Sequence, residues 1–313
     1  RVLDGAALSF DYDPRATCPR WLAFLSDPDT GVWGDQPDCA DRVRLLREWL
    51  GATLIGEATR YQGAVLLSGE GSNGKSVVLS TILALFPASR RLALEWHDLE
   101  GSEKGNTSAA LRGVRLAVDA DLRTDRPLES TGTLKKLISG DVLRGRALYA
   151  SGIEVAPRAG WLASCNRLPT TRDTSEGFFR RILVLTFDRA YEVPDSDGIV
   201  SPGMLVADEG LVAALADELP GILVWALGGL PDLRLRGGYQ RPASVVAARA
   251  EQRANNDDVG AYIGATVDSA LPEKRISVAD LYADFRDWCK DNGFDRPPSS
   301  MGFAKPLKGL AAR

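Results

Sequence analysis

The chain has 313 residues, of which 44% are hydrophobic and 26% charged, a balance that buries a substantial core and excludes a fibrous or wholly disordered protein. With 38 basic against 42 acidic residues, the net charge of −4 excludes a surface coated in cations, so contact with nucleic acid has to come from a local basic patch. No apolar run approaches the roughly 20 residues of a membrane span. Nor do the first residues read as a signal peptide, so a cytoplasmic protein with no membrane partner is expected. Cys18, Cys39, Cys165 and Cys289 lie far apart with no CxxC pair, which argues against a zinc site or a disulfide framework.

Residues 1 to about 40 are rich in Asp, Pro and Gly and carry Trp21, Phe24 and Trp33, which reads as an irregular but packed lead-in. The chain opens on Arg1 rather than methionine and is expected to be a piece of something longer. From Asp41 to about Thr59, Val43, Leu46, Trp49, Leu50 and Leu54 recur at helical spacing and predict an amphipathic helix. An apolar strand, Ala64 to Leu67, then runs into GEGSNGKS, Gly69 to Ser76, followed by Val78, Ile82 and Leu85 on a helix.

Strand, glycine loop and helix in that order make a phosphate cradle. Gly69, Gly71 and Gly74 let the backbone of Glu70, Ser72 and Asn73 bend so that its N–H groups turn inward, towards the positive end of the new helix. Lys75 is then placed to neutralise the β- and γ-phosphates of ATP, and the Ser76 hydroxyl to hold Mg²⁺.

A second strand, Leu116 to Val118, ends in Asp119-Ala120-Asp121. Two residues apart on an extended chain, the carboxylates are expected to face one side, one holding the metal and the other orienting water. An acidic strand exit that merely caps the next helix is the plainer alternative. A third strand, Trp161 to Cys165, ends at Asn166, whose amide can bond both a phosphate oxygen and the attacking water, although asparagine also ends strands for turn reasons. In GFFRRILVLTF, Gly177 to Phe187, the pair Arg180 and Arg181 precedes a fourth strand; one could reach ATP, in particular from a neighbouring subunit, while the other braces the fold.

Between the second and third strands, Leu134 to Gly160 carries Lys135, Lys136, Arg144, Arg146 and Arg158 against only Asp141 and Glu154. Val142 to Tyr149 and Ile153 to Ala156 read as a hairpin that presents cations and the Tyr149 ring to a phosphate backbone and its bases. An ordinary solvated hairpin has the same composition.

The acidic link Glu192 to Pro202 leads to helical patterns around Leu211 to Leu227. A C-terminal module begins near Val245, with a helix capped by Ser277 and Asp280 and stopped by Gly293. The expected division is 1–60 for the lead-in and helical segment, 61–190 for the ATPase core, 191–240 for a helical linker and 241–313 for the C-terminal module. His97, the single histidine, is assigned no chemistry.

With these residues in order, from DYDPRATCPRW at Asp11 through the glycine loop, KKLISGD and SCNRLP to GFFRR, the chain resembles the superfamily 3 helicase domain of phage, plasmid and poxvirus primase-helicases. The resemblance implies an α/β, AAA+-like P-loop ATPase core with a parallel sheet, a helical N-terminal segment and a small winged-helix-like C-terminal module. It also implies a ring, usually a hexamer, that uses ATP and Mg²⁺ to move along single-stranded DNA and unwind forked duplex, with a primase domain or protein as a partner, in a bacterial cell or phage-infected host. By the same resemblance the glycine loop, Asp119 with Asp121, Asn166, and Arg180 with Arg181 match the family's ATP site, and Lys135, Lys136, Arg144, Arg146 and Tyr149 its DNA-contacting motif. Pro306, inside SSMGFAKPLKGL, is expected to interrupt the module's last helix. Two other classes fit part of the pattern: a DNA-stimulated motor that moves duplex without unwinding it, and an ATPase that ignores DNA.

Overall fold

The computed structural model describes residues 8–99, 104–124, 127, 131–145, 152–171, 173, 175–255, 258–266, 276–291 and 297–310. They form two compact units, Arg1–Arg249 and Ala250–Arg313.

In the first unit the lead-in forms α1 (Pro19–Ser26), and α2 (Cys39–Leu54) and the single turn α3 (Ala58–Tyr61) follow. Then come β1 (Ala64–Ser68), α4 (Lys75–Ala84), β2 (Arg91–Ala93), α5 (Lys104–Ala110), β3 (Leu116–Asp119) and α6 (Gly132–Ser139). A short antiparallel pair, β4 (Leu143–Gly145) and β5 (Ile153–Val155), precedes β6 (Gly160–Cys165), α7 (Glu176–Phe179) and β7 (Ile182–Thr186). The acidic link is closed by two-residue strands, β8 (Tyr191–Glu192) and β9 (Leu205–Val206). Helices α8 (Leu211–Asp217), α9 (Leu219–Leu227), α10 (Leu230–Arg236) and α11 (Ala243–Asn255) complete it, α11 running across the boundary between units.

Five strands make a parallel sheet in the order β2-β3-β6-β1-β7. Both faces are covered along β3, β6, β1 and β7, so these strands are buried and largely apolar, whereas the edge strand β2 is mostly exposed; alternate residues of the buried strands still enter different cores. Val65, Leu67, Leu162, Leu183 and Leu185 pack with α2, α4 and α9, whereas Leu66, Trp161, Ala163 and Val184 pack with Trp96, α6 and the α7 phenylalanines. The lead-in belongs to the first of these cores. Trp21 and Trp33 are fully buried, the Trp33 indole donates to the Thr186 carbonyl at 2.8 Å, and the Arg20 and Trp21 N–H groups donate to the Glu218 carboxylate at 3.0 Å. Lead-in, core and linker all fall within the first compact unit, Arg1–Arg249.

The second unit packs α12 (Asp258–Thr266), α13 (Val278–Asp291) and α14 (Ser300–Leu310) around Tyr262, Phe285 and Phe303. Ser277 caps α13 as expected: its hydroxyl donates to Asp280, whose own N–H donates back to it. The helix α14 continues through Pro306 instead of breaking there. Phe303 and Leu307 anchor it on either side in the aromatic core, and that packing offsets the one backbone bond proline removes. Gly293 and the segments that would carry a wing lie outside the described residues. No single helix among the described residues is long and apolar enough to cross a membrane.

Candidate active site

The glycine loop leaves the carboxyl end of β1, which lies between β6 and the edge strand β7, and its backbone is bent as a cradle requires. Ser72 and Gly74 lie in the left-handed region, at φ 57° and 87°, and a Cβ on Gly74 would come within 2.7 Å of the Val32 side chain. Neighbouring elements pin the loop: Asn73 donates to the Phe187 carbonyl at 3.2 Å, and the Tyr191 N–H donates to the Ser72 carbonyl at 2.7 Å. Lys75, only 6% exposed, donates from its ammonium to the Glu70 carbonyl at 2.8 Å, the Asn73 side chain at 2.9 Å and the Gly69 carbonyl. Burial lowers its pKa.

A cavity of about 460 Å³ opens above this loop, bordered by Gly71 to Val77, Ala120, Asp121, Ser164 and Asn166. The sheet order explains the meeting, because β6 lies between β1 and β3, so all three strands deliver their carboxyl ends to one place. Asn166 therefore reaches the phosphate loop, as its position after the third predicted strand suggests. Ser164 is a lining residue the sequence reading missed; it lies two residues before Asn166 on an extended strand, and that period-2 relation is the signal that would have found it.

The two acids part company. Strand β3 ends at Asp119, so Asp121 lies in the turn beyond it and the same-side rule for an extended chain no longer applies. Asp119 is buried and accepts the Trp96 N–H at 2.7 Å; burial pushes its pKa up to about 6, against the lowering effect of that bond. Asp121 is exposed and borders the phosphate-loop cavity. Both acids border a second cavity of about 840 Å³ along β2, with Glu95, Asp98 and Arg123. The Ser76 hydroxyl and the Asp121 carboxylate both border the phosphate-loop cavity and would fit a hard divalent cation such as Mg²⁺, which takes one or two protein oxygens and would supply charge neutralisation there.

The arginines are elsewhere. Ile182 pairs with Ala64 and Thr186 with Ser68, and the Ala64 N–H donates to the Arg181 carbonyl at 2.8 Å. Arg180 and Arg181 hence flank the start of β1, while the glycine loop leaves its other end, five residues or about 16 Å away along the strand. Neither arginine can serve the cavity of its own chain. Arg181 is a brace: it donates to the Ser139 hydroxyl at 3.0 Å and to the Gly177 carbonyl, and burial, followed by the Arg180 charge, lowers its pKa. Arg180 is exposed.

The basic segment divides in the same way. Lys135 donates to Asp173 at 2.7 Å, where Thr131 and the Ser175 N–H converge as well, so its charge is already matched within the fold. Burial acts to raise the Asp173 pKa, but those bonds outweigh it and hold the group at about 2. Lys136 is exposed, and Arg144 stands on β4 opposite Glu154 with a charge separation of 4.0 Å. Arg146 and Tyr149 lie outside the described residues.

Residues 67–181 match a family model described as a family of unknown function (DUF5906). The chain is 28% identical over 280 residues to a protein named "Putative helicase" from Acanthamoeba polyphaga mimivirus, covering 85% of this chain and 28% of that protein. It is 24% identical over 269 residues to "Putative helicase 022R" of Frog virus 3 (isolate Goorha), covering 82% and 27%. The chain thus spans little more than a quarter of the length of these curated relatives. A solved apo structure of the NrS-1 C terminal region superposes with a TM-score of 0.51 at 9% identity, over 88% of this chain and 65% of that one, a likeness of fold. In keeping with the superfamily 3 resemblance, the chain is a distant homologue of these viral proteins named as helicases, and it has the α/β fold, with a five-stranded parallel sheet, of a P-loop ATPase core.

Proposed function

We propose that this chain is the motor region of an ATP-dependent DNA helicase that works as a head-to-tail ring. The observation that carries the reading is the cavity at the carboxyl end of the sheet, where Lys75, Ser76, Asp121 and Asn166 meet while Arg180 stands exposed at the opposite end. In this reading Lys75 exchanges its loop carbonyls for ATP phosphates, and Asn166 holds the γ-phosphate. Asp121 supplies the carboxylate near the attacking water, and Mg²⁺, when bound, draws charge from the transferring phosphoryl group. Arg180 of a second copy completes the site, so hydrolysis depends on assembly, and a heterologous contact repeated by rotation closes a ring. A hexamer acting on single-stranded and forked DNA of a phage- or plasmid-type replicon, alongside a primase, is the form the family resemblance favours.

The test measures ATPase and fork unwinding with and without single-stranded DNA across protein concentration, with Lys75→Ala as the inactive control. Stimulation by DNA, concentration dependence and strand separation are expected. Translocation on duplex without strand separation would mark a packaging or segregation motor instead, and ATPase indifferent to DNA would reject both readings.

A further inference from the structure

Each strand of the parallel sheet is entered past at least one arginine. Arg60 precedes β1, Arg90 precedes β2, Arg115 precedes β3, Arg158 precedes β6 and Arg181 precedes β7. Acids follow the carboxyl ends of four strands, Glu70 after β1, Glu95 after β2, Asp121 after β3, which itself ends in Asp119, and Asp188 after β7, while Arg167 follows β6. An acidic protein has thus gathered cations along the amino edge of its sheet.

Packing joins this edge to the basic hairpin. A Cβ on Gly140, where α6 hands over to β4, would meet Thr59 at 2.9 Å and the Pro157 carbonyl at 3.3 Å, the residues beside Arg60 and Arg158. The Gly160 N–H donates to the Arg115 carbonyl at 2.9 Å, and the Arg115 guanidinium lies against Gly56, at the start of the turn that carries Arg60. Of the neighbouring acids, Glu57 is paired with Arg234 at 2.8 Å and Glu154 faces Arg144, which leaves Asp141 as an exposed carboxylate at this edge. Helix C-termini draw cations in many α/β proteins. That preference does not account for this pair, because α3 is only four residues long and Arg158 follows a strand.

We propose that the amino edge of the sheet is a phosphate-binding strip for single-stranded nucleic acid, continuous with the β4–β5 hairpin and carried by the exposed Arg60 and Arg158. This rests on the helicase reading and extends it, since it routes the strand beyond the hairpin and over the amino end of the sheet. Guanidinium groups that contact phosphates bind without reading sequence.

The strip is tested by fluorescence anisotropy of a labelled oligo(dT) with the whole chain, from about 50 to 300 mM salt, for wild type, Arg60→Gln/Arg158→Gln and a control, Arg20→Gln, on α1. Loss of two phosphate contacts lowers the slope of log K against log salt by about 1.4, at 0.7 per phosphate of a single strand, and the control leaves it unchanged. Sedimentation and thermal melting of each variant accompany the titration. An unchanged slope in the double variant overturns the strip, and so does an unchanged slope combined with loss of self-association, which would make this edge a contact between copies. If wild type itself fails to bind the oligonucleotide, the helicase reading falls with the strip. Wild-type binding with an indifferent double variant removes the strip alone.

Discussion

Replacing Asp173 with Asn removes the charge that holds Lys135 to the segment between Asn166 and the arginine pair. Asp173 sits at about 2 instead of 3.8, and at about 1.4 kcal/mol per unit that difference is worth about 2 kcal/mol at neutral pH. The side chains are 17% and 31% exposed, so solvent screens the pair only in part. Asn has a single carbonyl oxygen, which can keep the Ser175 N–H bond while its NH2 donates to the Thr131 hydroxyl, so the net loss is expected to be roughly 1–2 kcal/mol, a fall in Tm of about 3–6 °C for a unit of this size. The folded pKa is depressed, so the contribution is complete above the unfolded value near 4 and is lost as pH falls through about 2. The assay is thermal unfolding of wild type, Asp173→Asn, Lys135→Met and the double variant at pH 7 and pH 3. The gap between wild type and Asp173→Asn should shrink to about half at pH 3, and the double variant should cost less than the two single changes summed. If Lys135→Met melts like wild type yet flattens the salt dependence of DNA binding, Lys135 is the DNA contact its sequence context suggested and the pairing argument is wrong.

Three further outcomes follow from the site. Gly74→Ala puts a side chain at φ 87° and against Val32, so it should destabilise by at least about 1–2 kcal/mol and weaken nucleotide binding together, read by thermal shift with and without ATP. Asp121→Asn, on an exposed residue, should leave Tm within a degree or so while lowering kcat on the order of 10²-fold, measured in single-turnover hydrolysis; a normal rate would move the catalytic carboxylate to Asp119. The arginines should separate by phenotype. Arg181→Ala should lower Tm through loss of its bonds to Ser139 and Gly177, whereas Arg180→Ala should keep Tm and lose hydrolysis on the order of 10³-fold. Mixing Arg180→Ala with Lys75→Ala should then restore partial activity at shared sites, and failure of that mixture to recover would count against the trans assignment.

Much of the site can be read along the chain. An apolar strand, three glycines, Lys75 and the following helix encode the cradle because each step is local: strand period, left-handed turn, helix start. Asn166 is readable for the same reason, as the residue that follows β6. The acids mark where local reasoning stops. Two residues apart, they imply a shared face only while the strand continues, and β3 stops at Asp119, where the Trp96 N–H takes that carboxylate from a segment 23 residues away.

The sequence by itself determined the strand, glycine loop and helix around Lys75 and the strands that lead to Asp119, Asn166 and Thr186, since propensity and periodicity act over a few residues, while helix α1 in the lead-in and the short edge strand β2 carry no such local pattern. Only the tertiary structure decided the partnerships. Register and strand order put Arg180 at the far end from its own glycine loop, and folding brought Asp173 to Lys135 across 38 residues. The physical reason is that cation composition looks the same whether a lysine is matched inside the fold or offered to solvent. Which of the two it is depends on a carboxylate whose place is set by packing of the whole core.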